Sequence, residues 1–114
     1  MKDQFLHNPR CSKSRQALAL LEEKGVKVSV RRYLEEPLSE SEIRSLLELL
    51  GVRPIELCRK GESVYKELGL GPDTKDAEVI RAMAGNPILI ERPILVRGGK
   101  ARVGRPPEDV LQIT

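Results

Sequence analysis

Cys11 is the residue of this sequence whose surroundings are best suited to chemistry. It stands between a short apolar segment and an amphipathic one, so we expect it to follow a strand and to begin a helix. A thiol at a helix N-terminus faces free backbone N–H groups and the positive end of the helix dipole, and both favour the thiolate. Three basic residues lie nearby: Arg10, Lys13 and Arg15. Because the same N–H groups attract anions, the segment predicts a nucleophile beside an oxyanion site.

The spacing around Cys11 excludes two familiar thiol chemistries. A dithiol redox motif needs a second cysteine at the position of Ser14, and a tyrosine-phosphatase loop needs an arginine at the position of Ala17. What remains is a single nucleophilic thiol that needs an external thiol to complete a redox cycle.

The second cysteine, Cys58, is too far along the chain to form a metal-ligand pattern or a disulfide framework with Cys11, so we expect no metal site. Two interpretations of Cys58 stay open. It is either a core residue, which the usual burial of free cysteine favours, or a resolving thiol.

Positive charge is concentrated near the end of the chain. Residues 91–105 contain five basic residues and one acidic residue, a net charge of +4, whereas the whole chain carries +3. Arg92 and Arg105 each directly precede a proline, which restricts the backbone and helps to aim the side chain. Arginine binds tetrahedral oxyanions through paired N–H donors. We therefore expect these two arginines to face an anion and the other basic side chains of the segment to be solvated.

The elements that must position Cys11 follow from local patterns. Residues 3–6 predict a strand, which ends at Asn8-Pro9 because the residue before proline avoids the helical region. Residues 12–24 predict an amphipathic helix that stops at Gly25. The alternation of apolar and polar residues over 26–33 predicts a half-buried strand. A strand–helix–strand unit makes a right-handed crossover, so these two strands should pair in parallel.

The rest of the chain predicts a helical segment and then a hairpin. Ser39 and Glu42 form a capping box before an apolar stripe that ends at Gly51, and shorter helices are expected over 62–68 and from Asp73 or Thr74 to about 84. Two short strands flank Gly98-Gly99, which is typical of a tight hairpin, and Pro106-Pro107 opens a last short helix. The predicted fold class is α/β: a thioredoxin-like domain over 1–114 with a small mixed sheet (βαβ…ββα) and a helical insertion at about 37–87.

Composition narrows the function classes. The chain has 114 residues, enough for one domain, and only 3% of them are aromatic. A net charge of +3 with so few stacking residues argues against a nucleic-acid partner. The sequence shows neither a signal peptide nor a membrane-spanning run, so we expect a cytoplasmic protein without a membrane partner.

The order of motifs resembles the ArsC family of glutaredoxin-dependent arsenate reductases, most of all its YfgD-type branch. The resemblance extends over essentially the whole chain. The segments that carry it are His7-Asn8-Pro9-Arg10-Cys11, Ser14-Arg15, Tyr33-Leu34-Glu35, Leu57-Cys58-Arg59-Lys60, Tyr65-Lys66-Glu67-Leu68-Gly69-Leu70, Asn86-Pro87-Ile88-Leu89-Ile90-Glu91-Arg92-Pro93-Ile94 and Gly104-Arg105-Pro106-Pro107-Glu108.

The resemblance implies a role for each matching position. Cys11 matches the nucleophile, and the oxyanion-binding arginines are matched by Arg59, Arg92 and Arg105. The positions near the thiolate are matched by His7 and Ser14, and Pro93 matches the cis-proline beside the active cysteine. Asn8, a further supporting residue, is expected to form a turn. His7 is expected either to tune Cys11 or simply to end its strand.

The implied reaction reduces arsenate to arsenite through a Cys11 adduct. Glutathione is the implied co-substrate, glutaredoxin the implied protein partner, and no bound cofactor is expected. Two alternatives remain. One is an Spx-like regulator that binds RNA polymerase without catalysis, against which the missing Cys-x-x-Cys counts. The other is a general glutathione-dependent thiol oxidoreductase.

Overall fold

A computed structural model describes residues 1–114 and contains a four-stranded mixed sheet with helices of two kinds. The strands are β1 (Gln4–His7), β2 (Val30–Arg32), β3 (Ile94–Arg97) and β4 (Lys100–Val103). The α-helices are α1 (Ser12–Glu23), α2 (Glu40–Leu50), α3 (Pro54–Leu57), α4 (Ser63–Glu67) and α5 (Asp76–Gly85). Two 3₁₀ helices span Pro87–Leu89 and Pro107–Ile113. The mixed α/β, thioredoxin-like class predicted above is confirmed.

The chain divides into two compact units, and the sheet lies in the first, formed by Met1–Glu36 and Arg92–Thr114. The strand order is β2-β1-β3-β4, with β1 parallel to β2 and antiparallel to β3, and with β3 and β4 forming an antiparallel hairpin. The parallel pair and the hairpin were both predicted. Helix α1 and the C-terminal 3₁₀ helix supply the residues that pack on one face, in a core of Phe5, Ala17, Leu21, Leu95 and Val110.

The second strand is shorter than its alternating pattern predicted. Only Val30–Arg32 pairs with β1, and Val30 is 45% exposed, so the expected half-buried strand over 26–33 was wrong over its first half. The valines at 26 and 28 pack partly against the α1 core instead, and the N–H of Val26 bonds the carbonyl of Leu21. These two valines therefore pack on the core of the first unit without belonging to the sheet. Val30 stays exposed because β2 is an edge strand.

The hairpin forms as its glycines predicted. Gly98 and Gly99 have φ values of +58° and +75°, and two consecutive positive φ angles are what a type I′ turn requires. The turn returns the chain alongside β3, so that Gly104, just after β4, donates its N–H to the carbonyl of Pro93, just before β3. The hairpin thus brings the segments that carry Arg92 and Arg105 side by side.

The second unit, Pro37–Glu91, contains the helices α2 to α5. Helix α2 has the predicted capping box: Ser39 Oγ accepts from the Glu42 N–H at 3.1 Å, and Glu42 Oε1 accepts from the Ser39 N–H at 3.0 Å. Its apolar stripe is buried at Ile43, Leu46 and Leu47, and Gly51 ends it in the left-handed conformation. This helix therefore forms as predicted.

One helix of this unit begins later than predicted, and another was not predicted at all. Helix α5 begins at Asp76 after Lys75, because Thr74 Oγ1 accepts from the Gly71 N–H at 2.9 Å and so stabilises a turn before the helix. Helix α3 was not predicted, because four residues are too few to show a helical period. No helix of the protein combines the length and apolar character that crossing a bilayer requires.

Candidate active site

Cys11 lies at the junction between the loop after β1 and the first turn of α1, as predicted. Its backbone is extended, with φ −92° and ψ 122°, and its carbonyl accepts the helical bond from the Arg15 N–H at 3.0 Å. Its own N–H donates to the carbonyl of Asn8 at 3.0 Å. These two backbone hydrogen bonds fix the position of the residue. The side chain is half-buried, so the sulfur remains accessible.

The pKa of Cys11 lies below its ordinary value, which favours the thiolate. Burial raises the pKa, but the Ser14 N–H, the Arg92 guanidinium and the Lys13 N–H all donate to the sulfur, and together they outweigh burial. The charge of Arg92 adds to the same effect. The site therefore combines the two factors that make a cysteine nucleophilic, a helix N-terminus and a guanidinium.

The positive charge at the sulfur comes from distant arginines more than from the basic residues next to it in sequence. Arg105 Nη2 lies 3.9 Å from Cys11 Sγ, and Arg92 hydrogen-bonds the same sulfur. Arg15, in contrast, donates Nη1 to the carbonyl of Pro9 at 2.9 Å, and Lys13 is exposed and acts on the sulfur through its backbone N–H. The structure thus brings Arg92 and Arg105 to Cys11.

A hydrogen bond between the two segments that flank the hairpin fixes the position of Arg105. Its Nε donates to the carbonyl of Arg92 at 2.9 Å. The Arg92–Pro93 peptide is cis, as the resemblance implied, and so is Arg105–Pro106. Gly104 lies so close to Pro93 that a Cβ on it would stand 2.8 Å from Pro93 Cγ. Glycine at 104 therefore permits the close approach that places the two arginines together.

His7 and Asn8 reach the Cys11 loop through Ser14. Ser14 Oγ accepts from the Asn8 N–H at 3.0 Å and lies 2.7 Å from His7 Nδ1, and the hydroxyl is fully buried. Asn8 also makes the predicted turn, because its Oδ1 accepts from the Arg10 N–H at 3.0 Å. Since the backbone N–H of Ser14 donates to Cys11, this cluster orients a group that contacts the sulfur.

The pKa of His7 lies below its ordinary value of 6.5. The largest cause is burial, followed by the charges of Arg32 and Arg15. A neutral imidazole whose Nδ1 accepts the Ser14 hydroxyl proton, and which carries its own proton on Nε2, satisfies both partners. His7 ends β1 and contacts Ser14, and it offers no positive charge to Cys11 at neutral pH.

Arg59 lies in the second unit, just after α3, and two carboxylates hold its guanidinium. Nη1 lies 2.7 Å from Glu91 Oε1, and Nε lies 3.4 Å from Glu62 Oε2. The Arg59 N–H donates to the carbonyl of Leu89 at 2.7 Å, which fixes the backbone. These acidic partners were not predicted from the sequence. The (i, i+3) spacing of Arg59 and Glu62 was the one available signal, since Glu91 is remote in sequence.

Cys58 is a buried thiol in the second unit, only 5% exposed. Burial raises its pKa to about 11, so it stays protonated at neutral pH. A protonated thiol is a poor nucleophile, so the structure supports the interpretation of Cys58 as a core residue. No group of three or more His, Cys, Asp or Glu side chains is placed to hold a metal ion.

Comparison with known proteins identifies the relatives of this chain. The model of the ArsC family matches residues 6–113. The protein YfgD of Escherichia coli K12 is 53% identical over 109 residues, covering 94% of this chain and 92% of YfgD. A Haemophilus influenzae protein named arsenate reductase is 44% identical and covers 94% of both chains. The solved structure of an arsenate reductase from Vibrio cholerae superposes with a TM-score of 0.94 at 46% identity, covering 100% of this chain and 98% of that one.

Proposed function

This chain belongs to the ArsC family, and from that premise we propose that it is an oxidoreductase that reduces arsenate to arsenite through Cys11. The observation that carries the proposal is the pairing of one thiol with two guanidinium groups. Cys11 has a lowered pKa, Arg92 hydrogen-bonds its sulfur, and Arg105 lies 3.9 Å away. A thiolate repels an oxyanion unless positive charge screens the pair, and these arginines supply that charge.

The first step joins sulfur to arsenic. The Cys11 thiolate attacks the arsenic of arsenate, an S–As bond forms, and one As–O bond breaks so that the oxygen leaves as water after it takes up protons. Arsenic remains As(V). Arg92 and Arg105 would hold the arsenate oxygens by paired N–H donors and offset the negative charge that collects on them.

The second step moves the electrons and requires an external thiol. The glutathione thiolate attacks the Cys11 sulfur, an S–S bond forms, and the S–As bond breaks with its electron pair left on arsenic. Arsenic becomes As(III) and leaves as arsenite, while the two thiols have together lost two electrons. Ser14 stands where a dithiol motif has its second cysteine, so no internal thiol next to Cys11 takes this role.

A third step regenerates Cys11. A glutaredoxin thiol attacks the glutathione sulfur of the mixed disulfide, and the Cys11 thiolate leaves. The low pKa of Cys11 makes it a good leaving group in this exchange. We propose Arg59 as a further ligand of the arsenate oxygens, which requires its guanidinium to exchange Glu91 or Glu62 for the oxyanion.

A coupled assay with arsenate, glutathione, glutaredoxin and glutathione reductase tests the proposal. We expect the wild type to consume NADPH in an arsenate-dependent manner and Cys11→Ser to abolish that turnover. Cys58→Ser is the matched control and should keep it, because the Cys58 thiol is buried and protonated. Arsenate-dependent turnover in Cys11→Ser would remove Cys11 from the mechanism.

The ion pairs of Arg59 favour a second candidate function, a general glutathione-dependent thiol oxidoreductase. Two carboxylates already neutralise this guanidinium, and reduction of a mixed disulfide does not need it. This candidate predicts activity on a glutathionylated model peptide that Arg59→Gln leaves unchanged. If the protein is an arsenate reductase, we expect Arg59→Gln to raise the KM for arsenate.

A further inference from the structure

A cavity of about 420 Å³ opens beside the loop that carries Cys11, entirely within the first unit. One wall is formed by residues 7–10 and the other by Arg32, Leu34 and Glu35. The parallel register pairs His7 with Arg32, so the cavity lies where the carboxyl ends of β1 and β2 meet. Clefts at the carboxyl ends of parallel strands are common ligand sites, and this volume is within the range of small-molecule sites.

The charges that line the cavity fit a small monoanion. Arg10 and Arg32 contribute two positive charges and Glu35 one negative charge, and all three side chains are exposed. None of the three forms an ion pair or a side-chain hydrogen bond within the protein. The charge of Arg32 is felt at the cavity wall, because it helps to lower the pKa of His7. A net charge of about +1 suits a carboxylate better than a multiply charged phosphate.

The cavity adjoins the segment of backbone that carries the reacting sulfur. Arg10 directly precedes Cys11, and Asn8, which lines the cavity, accepts the Cys11 N–H at 3.0 Å. A peptide whose own sulfur meets Cys11 Sγ would therefore have one end within reach of this cavity. Glutathione has a carboxylate at each end and its sulfur near the middle.

We propose that this cavity binds one terminal carboxylate of glutathione, with Arg10 and Arg32 donating to that carboxylate and with Leu34 and Pro9 contacting the neighbouring carbon atoms of the peptide. The inference rests on the proposed thiol chemistry of Cys11 and adds a site for the co-substrate, distinct from the arginines proposed for arsenate. Glu35 keeps the site selective, because it repels a second negative charge.

Disulfide exchange without arsenate tests the site separately from the proposed reduction. Cys11 attacks oxidised glutathione, forms the Cys11–glutathione disulfide and releases one glutathione thiolate. Mass spectrometry of the Cys11 peptide gives the rate, and hydroxyethyl disulfide, which has no carboxylate, gives the reference rate for each variant. The variants are Arg10→Gln, Arg32→Gln and the matched control Lys100→Gln, which removes an exposed charge from β4.

We expect Arg10→Gln and Arg32→Gln each to lower the rate with oxidised glutathione by about fivefold relative to hydroxyethyl disulfide, as loss of one exposed ion pair implies. Lys100→Gln should leave the ratio unchanged. An unchanged ratio in Arg32→Gln, or an equal fall in Lys100→Gln, would overturn the site. Failure of the wild type to reduce arsenate would contradict the proposed function and leave this ratio intact.

Discussion

The Nη2 atom of Arg105 lies 3.9 Å from the sulfur of Cys11, although 94 positions separate the two residues. The same guanidinium donates Nε to the carbonyl of Arg92, whose own guanidinium hydrogen-bonds the sulfur. The two arginines are therefore linked to each other as well as to the thiol. This arrangement lets each of its parts be tested separately.

Arg92→Gln should raise the pKa of Cys11 and lower the thiolate fraction at neutral pH. The side chain supplies both a hydrogen bond and a positive charge to the sulfur, and glutamine loses the charge. The pH dependence of Cys11 alkylation by iodoacetamide measures the pKa directly. Lys100→Gln removes a positive charge from an exposed position of β4 and should not shift the curve. An Arg92→Gln curve that coincides with the wild type would contradict this assignment.

Ser14→Ala should destabilise the protein by about 1–3 kcal/mol, because the buried Asn8 N–H and His7 Nδ1 would lose their shared partner. Urea denaturation measures the loss. Ser12→Ala is the matched control on the same helix: its side chain is exposed, and we expect a change within about 0.5 kcal/mol. Equal effects of the two substitutions would show that the Ser14 hydroxyl is not a structural hydrogen-bonding group.

The stability of the protein should fall as the pH falls below about 6.5, the ordinary pKa of histidine. The pKa of His7 is lowered in the folded state, so the unfolded chain binds a proton first and acid favours unfolding. His7 is the only histidine in the chain. Urea midpoints at about pH 7.5 and roughly pH 5.5 measure the effect.

The control for this pH dependence uses the Cys11→Ser background, which removes the other group whose pKa is lowered. In that background, His7→Asn should make the two midpoints more similar than they are with His7 present. A pH dependence that survives His7→Asn in full would show that another group carries it.

Gly104→Ala should destabilise the protein by about 1–3 kcal/mol, as overpacking of a filled core does. The added Cβ would stand 2.8 Å from Pro93 Cγ and 2.9 Å from Val110 Cγ1. Gly61→Ala is the control, because its Cβ would meet nothing within 4 Å. Calorimetry compares the two melting temperatures. Equal melting temperatures would mean that the approach of Gly104 to Pro93 is not tight.

Glu91→Gln should lower the KM for arsenate by about two- to fivefold if Arg59 binds the oxyanion. The Arg59 guanidinium would then bind arsenate without first breaking its ion pair with the Glu91 carboxylate. Steady-state kinetics in the coupled assay measures the change. Glu48→Gln removes the same charge from an exposed position of α2 and should have no effect. A raised KM in Glu91→Gln would instead make Glu91 a residue that orients Arg59 for binding.

Much of the fold followed from patterns within a few residues of one another. The capping box of Ser39 and Glu42, the turn at Gly98-Gly99 and the start of a helix at Cys11 all formed as predicted. Each depends on local backbone geometry, which neighbouring residues determine. The start of β2 differed from its prediction because Val26 and Val28 pack on the core of the first unit without pairing with a strand.

The sequence by itself determined the nucleophile's place in the chain, the order of the strands and of every α-helix except α3, and the lack of a second thiol at position 14. Only the tertiary structure decided which charges act on that nucleophile. Arg92 and Arg105 reach Cys11 because the hairpin of β3 and β4 brings their segments to it. Burial raises the pKa of both thiols, but hydrogen bonds and the charge of Arg92 lower the pKa of Cys11 overall, whereas burial acts alone at Cys58. Contacts across the sheet and desolvation depend on packing between remote segments, which no local pattern encodes.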